Sequence, residues 1–338
     1  MSAPPTSAAP PLPRFVVRVV LVMLFAVALY GALVLWRGIG EVRARFATFA
    51  WWTFAAACGL AFLNYLVRFA KWELYLAWLG IRGLGKLESL LTFLSGFVLT
   101  VTPGKVGEVF KSVVLYRTRG VPIERSAPIV VAERVTDVIG VLIMIAIGSL
   151  GFPGGLWWAI AGALLCGLLL GVVASPRLSA ALLRPLARVP GRIGARLVPR
   201  LELALAELRG ITTPRRLVWP TVLSVVGWSL EGVALWLILR GLGTPAPLPL
   251  AAFFYATATL AGAIVPVPGG LGVTDKLLEE QLAGLGGVPS SAATVAMLLV
   301  RLATLWFAVL VGFTALALLR WRHPALRASG AAPPRADG

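Results

Sequence analysis

Thr102-Pro103-Gly104-Lys105-Val106-Gly107 and Val267-Pro268-Gly269-Gly270-Leu271-Gly272 are two versions of one motif, each closing an apolar run and each followed by a charged helical stretch. Outward from them, Lys111 and Lys276 stand at equal distances after Pro103 and Pro268. Gly120-Val121-Pro122 matches Gly287-Val288-Pro289, and Arg134 matches Arg301. Upstream, Trp78-Leu79 and Arg82-Gly83-Leu84-Gly85 match Trp236-Leu237 and Arg240-Gly241-Leu242-Gly243. One folding unit is used twice. Apolar segments broken by Pro and Gly at corresponding places in an internal repeat point to a transporter's substrate site, because a broken helix leaves backbone polar groups at membrane depth.

Composition sets the class. With 59% apolar and 13% charged residues, and several runs of about twenty apolar residues, the chain reads as an all-α polytopic membrane protein. The formal charge of +17 is concentrated in residues 177–216, with nine Arg against two Glu, and in 320–338, with four Arg against one Asp. Such clusters beside apolar spans mark the cytoplasmic face and attract anionic headgroups. No aromatic or groove-reading module accompanies the charge, so nucleic acid is not the expected partner. Cys58 and Cys166 lie inside apolar runs and the one histidine, His323, sits in the basic tail. That inventory excludes a His/Cys metal site and a Cys-His or Ser-His pair of the usual kind, and no cofactor is expected.

The expected spans are about 15–36, 50–79, 124–150, 156–175, 217–240 and 290–319. The first is longer than a signal-peptide core and is read as retained. Residues 88–101 make a helix of only roughly 20 Å, short of the roughly 30 Å hydrocarbon core. With the short charged helix after it, about 106–118, this segment reads as a re-entrant hairpin tipped by Pro103-Gly104. Residues 248–285 must enter and leave on one side if 177–216 and the basic C-terminal tail are both cytoplasmic, which makes a second hairpin and an inverted repeat. The division is then a tail at 1–13, a transmembrane domain at 14–323 and a tail at 324–338. Within the domain lie repeat 1 at about 50–152, a linker at 176–216 and repeat 2 at about 217–319. Both tails are Pro/Ala-rich and expected to be disordered. Loop 37–49, placed outside with Arg37, Arg43 and Arg45 against Glu41, runs against the positive-inside rule and is outweighed by the two larger clusters. Arg184, Arg188, Arg192, Arg196 and Arg200, broken by Pro185, Pro190 and Pro199, fit helical segments in the headgroup layer.

Candidate binding residues follow from the breaks. Pro103, Gly104, Gly107, Pro268, Gly269, Gly270 and Gly272 end one helix and start another, aiming free amides at whatever lies between the tips. Such amides favour an anion such as a lipid phosphate. Lys105 adds a full charge beside the first tip, and Glu108 and Lys111 follow it. Arg134 and Arg301 sit at matching depths, where a charge costs about 2.5 to 3.5 kcal/mol on insertion scales and so faces a partner or a wet cavity. Glu133 and Asp137 flank Arg134, and Asp137 is spaced for an intrahelical pair. Arg301 has no acid in its own helix and needs a carboxylate from elsewhere or a phosphate. Asp275 is the best candidate to pair with Lys105 or an arginine. Asn64, Arg68 and Glu231 are further intramembrane polar groups, available to partner the arginines or, for Glu231, to bind a coupling proton.

At Thr102-Pro103-Gly104-Lys105-Val106-Gly107-Glu108, Glu133-Arg134, Asp137, Pro266-Val267-Pro268-Gly269-Gly270-Leu271-Gly272-Val273 and Arg301, the chain resembles the lysylphosphatidylglycerol synthase transmembrane region family, a flippase-like integral membrane domain. The similarity covers roughly 15–320. It implies an inner-membrane protein moving an anionic or modified phospholipid, or a polyprenyl-phosphate-linked lipid, between leaflets. Full-length synthases of the family carry a soluble aminoacyltransferase domain after the membrane region. The sequence reaches Gly338 with none, so lipid aminoacylation is not expected. Asp275 stands where the family pattern leads one to expect Glu.

The expectation is therefore a lipid translocase, with no enzymatic activity, in which Lys105, Arg134 and Arg301 hold a headgroup phosphate. Its expected setting is the inner membrane with both termini cytoplasmic, and a homo-oligomer or a partner lipid synthase is compatible with it. There is no Gly-x4-Gly-Lys-Ser/Thr loop for a nucleotide, so movement is passive or ion-coupled. Two alternatives stay open. One is an enzyme or accessory subunit acting on a lipid phosphate through Glu133, Asp137 or Glu231, and the other is a small-anion transporter.

Overall fold

The computed structural model describes residues 14–102, 108–150, 157, 160–165, 167, 168, 175, 206–265, 267–323 and 326. The first tip at 103–107, part of the expected span 156–175, the Arg-rich stretch up to 205, the tail 1–13 and, apart from residue 326, the tail 324–338 lie outside them, and with them the expectations placed there. The described residues are helical and contain no strand. In chain order they form α1 (Arg14–Arg37), α2 (Ile39–Thr48), α3 (Trp51–Trp78), α4 (Lys86–Ser95) with a 3-10 extension (Gly96–Leu99), α5 (Phe110–Arg119) and α6 (Ile123–Ser149). They continue as α7 (Pro214–Gly241), α8 (Leu248–Ile264), a 3-10 turn (Pro268–Gly270), α9 (Val273–Gly284), α10 (Ser290–Arg301), a π turn (Leu302–Trp306) and α11 (Phe307–Arg322).

Among the described residues, three helical stretches are long and apolar enough to cross a membrane: Trp51–Trp78, Pro214–Gly241 and Ser290–Arg322, the last running through the π turn. They turn Phe62, Leu63, Val218, Trp219, Leu310 and Leu318 outward, as a lipid-solvated surface requires. α6 also has spanning length, about 40 Å at 1.5 Å per residue, with Glu133, Arg134 and Asp137 near its middle. One expectation is corrected. Residues 37–49, read as a loop, contain helix α2, whose Val42 is buried against the core. The charged residues that made the stretch look like a loop occupy its outer face: Glu41 and Arg43 are exposed.

Small residues let these helices approach closely, the usual device where lipid supplies no hydrophobic drive between helices. Along α7, a Cβ at Gly227 would lie 2.5 Å from Asn64 Oδ1 of α3, and one at Gly232 would lie 3.0 Å from Ala252 of α8. Gly140 of α6 sits against Ser224 of α7, Gly148 of α6 against Phe253 of α8, and Gly312 of α11 against the backbone of Val98. The short helices pack against the opposite half of the chain: α4 and its extension lie on α11, while α8 lies on α6. Outside the core, Glu88 at the start of α4 takes Arg119 from the end of α5 and lies 3.5 Å from His323 beyond α11.

Sequence-matched positions adopt matched conformations. Gly120 and Gly287 are both left-handed, at φ 69° and 64°, and Pro122 and Pro289 both follow as extended helix-entry residues. A positive φ is open to Gly at little steric cost. Each turn delivers the chain into the helix that carries Arg134 or Arg301.

Candidate functional site

Between the helices lies a cavity of about 260 Å³. Its charged lining consists of Arg68 from α3, Arg134 and Asp137 from α6, Glu231 from α7 and Arg301 from α10. Tyr65, Phe97, Trp228 and Tyr255 supply aromatic wall, and Gly262, Gly269, Gly270 and Thr274 bring the second Pro-Gly tip to its edge.

That tip is held by Arg301. Its Nη2 donates to the carbonyl of Gly269 at 2.6 Å, and its Nε lies 2.8 Å from Asp275 Oδ1. The other oxygen of Asp275 accepts the amide of Gly272 at 2.8 Å, which also caps the start of α9. Gly269, Gly270 and Gly272 all have positive φ. Gly262 must be small because a Cβ there would collide with Thr274 Oγ1 and meet Gly270 Cα at 3.2 Å. Immediately after Arg301 the helix widens into the π turn, where the Thr304 carbonyl accepts Tyr65 OH at 2.9 Å. Such widened turns are frequent at functional sites.

The first-repeat side is a denser ionic cluster. Arg134 Nη2 lies 3.0 Å from Glu108 Oε2 and 2.9 Å from Asp137 Oδ2. Arg68, 7% exposed, lies 3.5 Å from Glu108 and 3.9 Å from Asp137, with its guanidinium 5.3 Å from the ring centre of Phe97. Among the described residues, its Nε and Nη2, and Arg134 Nε, are buried without a hydrogen-bond acceptor. Native proteins seldom leave buried guanidinium donors in that condition, since each lost hydrogen bond costs about 1–3 kcal/mol.

Lys71 is fully buried and joins Asp137 Oδ1 at 2.6 Å and Ser224 Oγ at 2.8 Å. Lys111 joins Glu133 at 2.5 Å, with its ammonium 4.7 Å from the Trp72 ring centre and 5.2 Å from that of Phe93. On the far side, Glu231 Oε1 accepts Asn64 Nδ2 at 2.5 Å and Oε2 accepts Tyr255 OH.

Measured against the sequence expectations, the structure brings Arg134, Asp137, Gly269, Gly270 and Arg301 to one cavity. Glu108 and Asp275 stand behind it, each holding an arginine. Lys111 and Glu133 are not part of the lining and pair with each other in a buried aromatic box. Pro268 and Gly272 belong to the same second tip but are not among the lining residues. Pro103, Gly104, Lys105 and Gly107 lie outside the described residues. Asp275 pairs with an arginine, as its position led us to expect, and that arginine is Arg301. Lys71, Tyr65, Tyr255 and Thr304 escaped the sequence reading. Lys71 carried a usable signal, since it is a charge inside the apolar run 50–79, whereas the aromatic residues look like any membrane-helix filler. Among the described residues, no group of three or more His, Cys, Asp or Glu is arranged to hold a metal ion.

Comparison of the chain with curated proteins gives no match. The family model described as "Lysylphosphatidylglycerol synthase TM region" matches residues 17–312, a stretch that contains both Pro-Gly motifs and every charged residue lining the cavity. The chain therefore belongs to the lysylphosphatidylglycerol synthase transmembrane region family and is a multi-pass integral membrane protein.

Proposed function

We propose that the protein is a lipid translocase whose cavity binds the phosphate of an anionic or modified phospholipid, or of a polyprenyl-phosphate-linked lipid, and passes it between leaflets. The observation that carries this reading is the convergence of Arg68, Arg134 and Arg301 on one cavity inside an apolar helical protein. Of these, Arg68 and Arg134 have buried donors that meet no acceptor among the described residues. A phosphate offers several acceptor oxygens to planar guanidinium forks, and charge-assisted bonds of that kind are about twice as strong as neutral ones. Lys105, three residues before Glu108 in the sequence, is assigned to the same phosphate.

In this reading the chain is an inverted repeat, with re-entrant hairpins at 88–118 and 248–285. The reciprocal packing of α4 on α11 and of α8 on α6 supports it, as do the paired left-handed glycines Gly120 and Gly287. Movement of one hairpin against the other exposes the site to each leaflet in turn. The setting is the inner membrane, both termini are cytoplasmic, and the Arg-rich linker lies on anionic headgroups there. The protein changes the position of its lipid and leaves its covalent structure intact.

The test is leaflet exchange in proteoliposomes, read with fluorescent lipids and a membrane-impermeant quencher. Protein-dependent exchange of an anionic phospholipid or polyprenyl-phosphate probe is the expected result. Absence of exchange for anionic, zwitterionic and polyprenyl-phosphate probes alike would overturn it, and chemical conversion of a probe would replace it with an enzymatic role.

A further inference from the structure

We propose that Glu231 is a proton-binding site through which the protein couples lipid movement to a pH gradient, an inference that rests on the translocase reading above. Glu231 lies in the second half of α7, 6% exposed, and lines the same cavity as the three arginines. Its carboxyl is held from two other helices. Asn64 of α3 donates to Oε1 at 2.5 Å, and Tyr255 of α8 donates to Oε2. One turn earlier in α7, Gly227 makes room for the Asn64 amide, since a Cβ there would come within 2.5 Å of Asn64 Oδ1.

The chemistry of these partners suits both forms of the carboxyl. A phenol both donates and accepts. By turning its hydroxyl, Tyr255 serves the carboxylate as a donor and the carboxylic acid as an acceptor, while the Asn64 amide donates to an oxygen in either state. The site thus accommodates Glu231 with and without its proton, and the cavity gives that proton a way in and out.

The groups facing Glu231 set the direction of coupling. From α3 they are Asn64, Tyr65 and Arg68; from α8, Tyr255; from α10 and the π turn, Arg301 and Thr304; from α6 across the cavity, Arg134 and Asp137. A lipid phosphate on the arginines offsets their positive field and adds a negative charge beside the carboxyl, which favours protonation. By linkage, a proton on Glu231 favours the phosphate to the same degree. One proton therefore travels with one anionic headgroup, taken up on the acidic side and released on the alkaline side.

The test uses the full chain in proteoliposomes carrying acyl-NBD-labelled phosphatidylglycerol, acid outside and one pH unit more alkaline inside. The inward-facing leaflet should become enriched in probe, approaching about tenfold, the ratio equivalent to one pH unit for one proton per lipid. A proton-potassium exchanging ionophore should abolish the enrichment. Glu231→Gln, which keeps the volume and fixes a neutral side chain, should show none. Tyr255→Phe, which keeps the ring and removes the switching hydroxyl, should reduce it, and provides the second readout if Glu231→Gln folds poorly. Exchange by the wild type that stays symmetric under the gradient overturns the proton site and leaves the translocase reading intact, as does an unaltered gradient response in Glu231→Gln. No exchange at any pH overturns both.

Discussion

Arg301 Nε and Asp275 Oδ1 lie 2.8 Å apart, and this one contact ties the last spanning helical stretch to the second Pro-Gly tip. Because Nη2 of the same guanidinium donates to the carbonyl of Gly269, Arg301 bonds the tip at its backbone and at the start of α9 together. Both side chains are buried. Breaking such a pair from one side typically costs about 3–5 kcal/mol, since it leaves a buried charge uncompensated. Asp275→Asn should therefore lower the midpoint of thermal unfolding in detergent. Asp275→Asn combined with Arg301→Gln should recover part of that loss while abolishing leaflet exchange. Equal unfolding midpoints for wild type and Asp275→Asn would show that the pair does not hold the tip.

Lys111 and Glu133 read as site residues in the sequence, and in the structure they pair with each other outside the cavity lining. Both are buried, 2.5 Å apart, with Trp72 and Phe93 around the ammonium. Lys111→Met alone should destabilise the protein by about 3–5 kcal/mol, and Lys111→Met with Glu133→Gln should restore most of it. The double variant should retain exchange activity, because neither side chain lines the cavity. Loss of exchange in a double variant with wild-type unfolding would return both residues to the binding site.

Gly262 controls how closely α8 approaches the second tip. Gly262→Ala places a methyl group against Thr274 Oγ1 and Gly270 Cα, an overpacking that typically costs about 1–3 kcal/mol. Thr274→Ala removes the nearest obstacle, so the Gly262→Ala/Thr274→Ala pair should unfold at a higher temperature than Gly262→Ala alone. If the second change adds to the damage, the contact is not the cause.

The inverted arrangement makes a prediction about sidedness. In a background with Cys58 and Cys166 replaced by Ser, a cysteine at Thr244, between α7 and α8, should react with a membrane-impermeant maleimide from the outside of intact cells. A cysteine at Arg82, between α3 and α4, should react only after the membrane is opened. Labelling of both from the same side would rule out inversion of the repeats.

Much of the fold was legible because membrane helices announce themselves by length and apolar content, and because Pro and Gly mark where they break. The ends of α3, α6 and α7 fall within a few residues of the expected 50–79, 124–150 and 217–240. Helix α2 was missed because its charged residues face outward and hide the burial of Val42. At the site, single positions were legible and pairings were not. Glu133 and Arg134 are sequence neighbours, yet successive helical residues do not share a face. The acid accordingly meets Lys111, while the arginine meets Glu108 and Asp137. The roles of Lys71 and Tyr255 depend on contacts between helices far apart in the chain, Lys71 with Asp137 and Ser224, and Tyr255 with Glu231. No local pattern encodes those contacts.

The most direct test of the central claim is leaflet exchange of anionic lipid by Arg68→Gln, Arg134→Gln and Arg301→Gln beside the wild type, in proteoliposomes of equal protein content and with folding checked by unfolding midpoint. Each arginine donates charge-assisted hydrogen bonds worth about 1.5–3 kcal/mol to a bound phosphate, so each well-folded variant should exchange the lipid roughly ten- to a hundredfold more slowly. Wild-type rates in all three variants would contradict the assignment of this cavity to a lipid phosphate.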